Sequence, residues 1–108
     1  MDLVEFYEQH VGVEAADFRF IALKELLLSR LSGRTVADIG CGTGTMAREL
    51  SLAGYEVLGM EPDPRLHALA VKVRSSSGVD YKLLNTGIEG MSAGALAPYR
   101  NFLLLDVL

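Results

Sequence analysis

The sequence is short of several things. It has one cysteine, Cys41, in 108 residues. A single thiol cannot form an internal disulfide, and no Cys/His spacing suited to a metal is present. A reducing, cytoplasmic setting fits best. Basic residues do not dominate: ten Lys and Arg face fourteen Asp and Glu, a formal net charge of −4. No basic face for tight nonspecific nucleic-acid binding is expected from that balance. The start, Met1-Asp2-Leu3-Val4-Glu5, is acidic and lacks the basic and apolar regions of a signal peptide. No apolar stretch approaches the roughly 18 residues that a membrane span needs. Internal repeats and low-complexity segments are also missing. What remains is a folded, single-core composition, half of it hydrophobic.

The chemistry concentrates in residues 36 to 44, Val-Ala-Asp-Ile-Gly-Cys-Gly-Thr-Gly. An apolar run leads into Gly40, Gly42 and Gly44, and the helical pattern Met46-Ala47-Arg48-Glu49-Leu50 follows at once. That is a buried strand, a tight turn and a helix start. Glycines let a ligand approach the backbone, and the first N–H groups of the helix have no internal partner. The spacing restricts the ligand. A dinucleotide fingerprint, G-x-G-x-x-G, would need glycine at position 45, which is Thr45. The chain has G-x-G-x-G, with Asp38 two residues ahead.

The rest of the chain supplies the frame. A short helix is expected over residues 2 to 10 and a longer one over 15 to 31. In the longer helix Phe18, Ile21 and Leu28, with Phe20, Leu23, Leu27 and Leu31, form a wide apolar face. Strands are expected at 35 to 39, 55 to 60, 79 to 84 and 102 to 108. Helices follow the first two, over roughly 44 to 53 and from Pro64 to about Arg74. Asp63 is placed to cap the second of these, with Pro64 at its first position. Residues 85 to 98 read as a loop with one helical turn. Near-continuous apolar strands alternating with helices predict an α/β, Rossmann-like three-layer sandwich around a parallel sheet of about four strands. Two parts are expected: a helical segment, 1–33, packed on a core, 34–108.

Asp38-Ile39-Gly40-Cys41-Gly42-Thr43-Gly44 resembles the first motif of class I S-adenosylmethionine-dependent methyltransferases, (Asp/Glu)-x-Gly-x-Gly-x-Gly. The resemblance runs from residue 35 to the end. It implies strand order 3-2-1-4, S-adenosyl-L-methionine as cofactor, and methyl transfer to an acceptor that these residues do not name. It implies roles as well. Glu61, at the end of the second strand, would take the ribose hydroxyls, as a bidentate carboxylate can. Asp38 would order the methionine end, or only brace the turn. Gly40, Cys41, Gly42 and Gly44 would form the turn around the cofactor, with Cys41 as a small residue and not a nucleophile. Pro62, with Met60 and Leu84, would flank the adenine, although apolar residues there serve equally as core. The family often has an acid in the loop after the third strand. Here that position is Gly87, so the Ile88 N–H is the expected adenine contact, with Asn85, Thr86 or Glu89 to compensate. Asp106, at the end of the fourth strand, would face the methyl-transfer cleft, or be a plain strand-end acid. Tyr7 or Arg19 could reach the methionine carboxylate, while simple packing and solvation fit them as well.

The family fold has seven strands, and this sequence supplies four. It is therefore expected to be the cofactor-binding half of such a domain, a fragment or a truncated product. Its fourth strand would be an apolar edge open to self-association. The alternative function is a noncatalytic module that binds the cofactor or a partner chain.

Overall fold

Four short apolar-rich segments form the sheet, the two central ones buried on both faces and the two outer ones partly exposed. A computed structural model describes residues 18–105. The strands are β1 (Thr35–Ile39), β2 (Glu56–Met60), β3 (Lys82–Leu84) and β4 (Asn101–Leu103). All pairings are parallel and the order is β3-β2-β1-β4, as the sequence predicts. The register sets Asp38 beside Gly59 on one side and Leu103 on the other.

Side chains alternate across the sheet, as the period of two requires. Val36, Val57 and Leu103 point into a core shared with Met46, Ala47, Leu50 and Tyr81. Ile39, Leu58 and Met60 point the other way, toward Met91, Leu96 and Tyr99. Met60 is fully buried in that core.

The helices are α1 (Phe18–Arg30), α2 (Thr45–Leu52), α3 (Pro64–Ser77) and the short α4 (Ala93–Leu96), with a single 3-10 turn at Ile88–Gly90. Helix α3 starts as predicted. The Asp63 side chain accepts the Arg65 and Leu66 N–H groups, and Pro64 follows it. It buries Leu66, Ala70 and Val73 and runs to Ser77, three residues later than expected, with Gly78 as its C-cap.

The predicted apolar face of helix α1 packs in all but two of its seven residues. Phe20, Leu23, Leu27, Leu28 and Leu31 pack on the core, whereas Phe18 and Ile21 are exposed. Strand β2 begins one residue late, at Glu56, and β3 and β4 are much shorter than predicted. The Tyr81 carbonyl accepts from the Arg74 guanidinium at 2.9 Å, and ladder pairing to β2 begins only at Lys82. Strand β4 starts one residue early and leaves the ladder after Leu103, its partner Asp38 being the last residue of β1 that it meets. At the lower end of this pair Asn101 acts as a clamp. Its side chain accepts from the Ser32 N–H and donates to the carbonyls of Ser32 and Thr35. The helix expected over 2–10 lies outside the described residues.

Candidate functional site

The site lies at the C-terminal ends of β1 and β2, where the strand order reverses between β1 and β4. The turn after β1 is held by β2: the Gly40 and Cys41 N–H groups both donate to the Met60 carbonyl, at 2.8 Å each. The Gly44 N–H then closes on the Cys41 carbonyl at 2.9 Å. Gly40, Gly42 and Gly44 have φ of 71°, 58° and 76°, a left-handed backbone that side chains disfavour. Three glycines at alternate positions are what this path needs.

Glu61 joins the two halves of the site. The residue is 6% exposed. One carboxylate oxygen accepts the Gly42 N–H and the other the Asp63 N–H, both at 2.9 Å. The first bond spans from the glycine turn to the end of β2. The second shapes the start of α3. A carboxylate has about four lone-pair sites, so two such bonds leave capacity for a further donor. The backbone beneath it is fixed as well. The Asn85 side-chain amide donates to the carbonyls of Glu61 and Pro62, at 2.8 and 3.1 Å. Asn85 thus braces the Glu61 and Pro62 backbone through its amide NH2.

Asp38 is 2% exposed. With Gly40 and Cys41 it lines a cleft of about 40 Å³ completed by Phe20, Leu23, Thr45, Met46 and Leu105. The sequence reading missed Phe20 and Leu23 in this role. Their helical spacing marks them as apolar, but says nothing about which part of the sheet they cover. A β-carbon placed on Gly42 would meet nothing within 4 Å. The backbone of the turn is thus open to a ligand beside Glu61, and the turn and acid fit an adenosyl group.

Pro62 and Ile88 are exposed near the same strand ends. Ile88 opens the 3-10 turn. At Gly87 the Glu89 carboxylate lies against the α-carbon, where a side chain at 87 would begin. Thr86 is spent locally, its hydroxyl donating to the Gly87 carbonyl. Asp106 and Tyr7 lie outside the described residues.

Cys41 is packed, not poised. Its sulfur sits 3.1 Å from where a β-carbon on Gly59 would stand, so Gly59 makes room for it. Burial, reinforced by the Asp38 and Glu61 carboxylates, pushes the thiol well above its ordinary range. The thiolate, which is the nucleophile, is suppressed. Tyr81 is similarly pushed up to about 12, by burial first and then by Cys41. Both groups hold their protons more tightly when folded than when unfolded. Below the unfolded thiol value, near pH 8.5, they leave stability unchanged. Above it the unfolded chain loses its proton first, and stability falls by up to about 1.4 kcal/mol per pH unit per group. Urea midpoints measured between pH 7 and 11 should decline from about pH 8.5. Cys41→Ala should flatten the part of that decline below pH 10.

A methyltransferase-domain family model matches residues 8–99. The chain belongs to the class I S-adenosylmethionine-dependent methyltransferase domains. Within that family it is 35% identical over 80 residues to a ubiquinone biosynthesis O-methyltransferase from Methylocella silvestris, 72% of this chain and 30% of that protein. Among solved structures, a cyclopropane synthase from Mycobacterium tuberculosis is 30% identical with a TM-score of 0.56, over 67% of this chain and 27% of that one. The magnesium protoporphyrin IX methyltransferase of Synechocystis, solved with S-adenosylmethionine bound, shares the fold with a TM-score of 0.66 at 22% identity. That match covers all of this chain and 50% of that one. The matched curated relatives are much longer: the aligned stretch is 38% of one and 30% of another. No helix among the described residues is long and apolar enough to cross a membrane.

Proposed function

We propose that this methyltransferase domain binds S-adenosyl-L-methionine at the β1–β2 strand ends and presents its methyl group to an acceptor. The observation that carries this is the bond from the Gly42 N–H to the Glu61 carboxylate at 2.9 Å. It unites the glycine turn and the acid, which the sequence holds nineteen residues apart, in one site. In this reading Glu61 takes the ribose hydroxyls on its remaining lone pairs. Asp38 faces the methionine ammonium in the narrow cleft under Phe20 and Leu23. The Ile88 N–H and the exposed edge of Pro62 flank the adenine. Gly40, Cys41, Gly42 and Gly44 supply a backbone floor.

The cofactor, when bound, supplies an activated methyl on its sulfonium. The chain's own work is then to orient that group and exclude water from it. Titration calorimetry with S-adenosylhomocysteine is expected to show saturable one-to-one binding, and an absence of binding sinks the reading. A second reading is a module that binds without transferring, favoured by the small share of its relatives that the chain spans. Binding without transfer of a labelled methyl to any phenol, amine or RNA acceptor would select it. The single free thiol, Cys41, fits a cytoplasmic setting for either.

We also take the outer edge of β4 as a surface for self-association with a second copy. It is unpaired among the described residues, and Phe102 and Leu104 beside it are 47% and 62% exposed. Such an edge is a template for pairing. Sedimentation should show dimers or larger species at micromolar concentration, and Leu104→Lys should shift them toward monomer.

A further inference from the structure

Asn85 is the first residue after β3, and it is exposed. Its side-chain nitrogen donates to the carbonyls of Glu61 and Pro62, at 2.8 and 3.1 Å. A carbonyl can only accept, so the amide has one allowed orientation here: a flip would set its oxygen against two other oxygens. Both amide hydrogens are spent on the backbone after β2. What the side chain has left to offer is Oδ1, a pure acceptor held in a fixed direction. A free asparagine turns its amide to suit a donor or an acceptor, and this one cannot.

The other polar side chains of the loop are turned to its own backbone. The Thr86 hydroxyl donates to the Gly87 carbonyl at 3.1 Å, and the Glu89 carboxylate lies over Gly87. The place of Asn85 in the sheet supplies the rest. The order β3-β2-β1 sets Asn85, Glu61 and Asp38 at the ends of three neighbouring strands, spaced by about 4.8 Å from strand to strand. A ligand with its ribose on Glu61 and its amino-acid end toward Asp38 has only the β3 side left for its base.

We propose that Asn85 selects the base: its locked Oδ1 accepts a hydrogen bond from an exocyclic amine, so the site takes a 6-aminopurine and disfavours a purine with a keto group or no substituent there. The inference rests on the cofactor reading and deepens it. A keto oxygen facing Oδ1 leaves two acceptors opposed, and the fixed amide cannot turn to relieve them. The bonds that fix the amide also tie Asn85 to the Glu61 backbone, so the residues that take ribose and base are joined to each other.

Two ligands and two variants test this by calorimetry: S-adenosylhomocysteine, and the same molecule with hydrogen in place of the 6-amino group. Wild type should bind the amine-free ligand roughly 5- to 10-fold more weakly, the worth of one net hydrogen bond. Asn85→Ala loses both the brace and the acceptor, so both ligands should weaken but bind within about twofold of each other. Asn85→Asp loses the brace yet keeps an acceptor, now charged, and should discriminate at least as strongly as wild type. A purely structural role lowers both affinities together and leaves their ratio alone. Equal binding of the two ligands by wild type overturns the proposal and leaves the cofactor site standing. So does a ratio that survives in Asn85→Ala or falls in Asn85→Asp. A wild-type chain that binds neither ligand overturns the cofactor reading itself, and the role of Asn85 with it.

Discussion

Glu61→Ala is expected to lower stability by about 3 kcal/mol and to weaken S-adenosylhomocysteine binding at least roughly 100-fold. Two causes act together. The carboxylate accepts the Gly42 and Asp63 N–H groups, each at 2.9 Å. Hydrogen bonds to a charged group contribute about 1.5–3 kcal/mol each, and the donors left behind are partly buried. Against a total stability of about 5–15 kcal/mol this is a large fraction. The ligand loses both the acid and the turn geometry that the acid maintains. Glu61→Gln is the informative control. One amide oxygen can still accept one N–H, but the amide NH2 must face the other donor. An intermediate stability loss with most of the binding loss is expected. Urea denaturation and calorimetry on the same preparations measure both. Unchanged midpoints in Glu61→Ala would mean that these two bonds contribute nothing. Affinity within threefold of wild type would remove Glu61 from the site.

The same carboxylate shows where a sequence is informative. Asp38, the three glycines and Glu61 were legible because each rule is local: a glycine where φ is positive, an acid at a strand end. The strand order followed from the resemblance that those residues carried. Asp63 and Pro64 were legible as a cap for the same local reason. Tyr81 was legible only as part of a strand, and not as a group behind Gly44, because the contact depends on how α3 and β3 pack. Asn85 is one of three residues the sequence offers beside the adenine, and its amide NH2 bonds to the carbonyls of Glu61 and Pro62. Side-chain amides serve both purposes equally well, and only tertiary placement decides. Phe18 and Phe20 illustrate the limit for packing. Both are apolar and two residues apart on α1, but Phe18 is 82% exposed and Phe20 lines the cleft. Helical periodicity predicts a wide face, while the width of the facing surface determines how much of it is covered. The long third and fourth strands were overread for a related reason. An apolar run can be strand only where a neighbouring strand is available to pair, and β2 and β1 offer three partners each.

Gly42 and Gly44 allow the two functions of the turn, folding and binding, to be separated by one methyl group. Both have positive φ, 58° and 76°, so alanine at either carries a backbone penalty of roughly 1–2 kcal/mol. What the added carbon meets is different. At Gly44 it would stand 3.3 Å from the Ala70 β-carbon, a carbon on the helix packed against the turn, with little freedom to move. Overpacking of that kind costs about 1–3 kcal/mol more, for a total of about 2–5 kcal/mol. At Gly42 it would meet nothing within 4 Å, so stability should fall by the backbone penalty alone. The open space above Gly42 is where the proposed ligand would lie, beside the carboxylate that holds the Gly42 N–H. Gly42→Ala is therefore expected to weaken S-adenosylhomocysteine binding roughly 10- to 100-fold, the cost of a misfit at a close backbone approach. Gly44→Ala should be the less stable variant and Gly42→Ala the weaker binder, once each is measured well below its unfolding midpoint. The opposite ranking would put the ligand on the Gly44 side of the turn, against Ala70 and Tyr81. It would reverse the assignment of which face of the turn is floor and which is support.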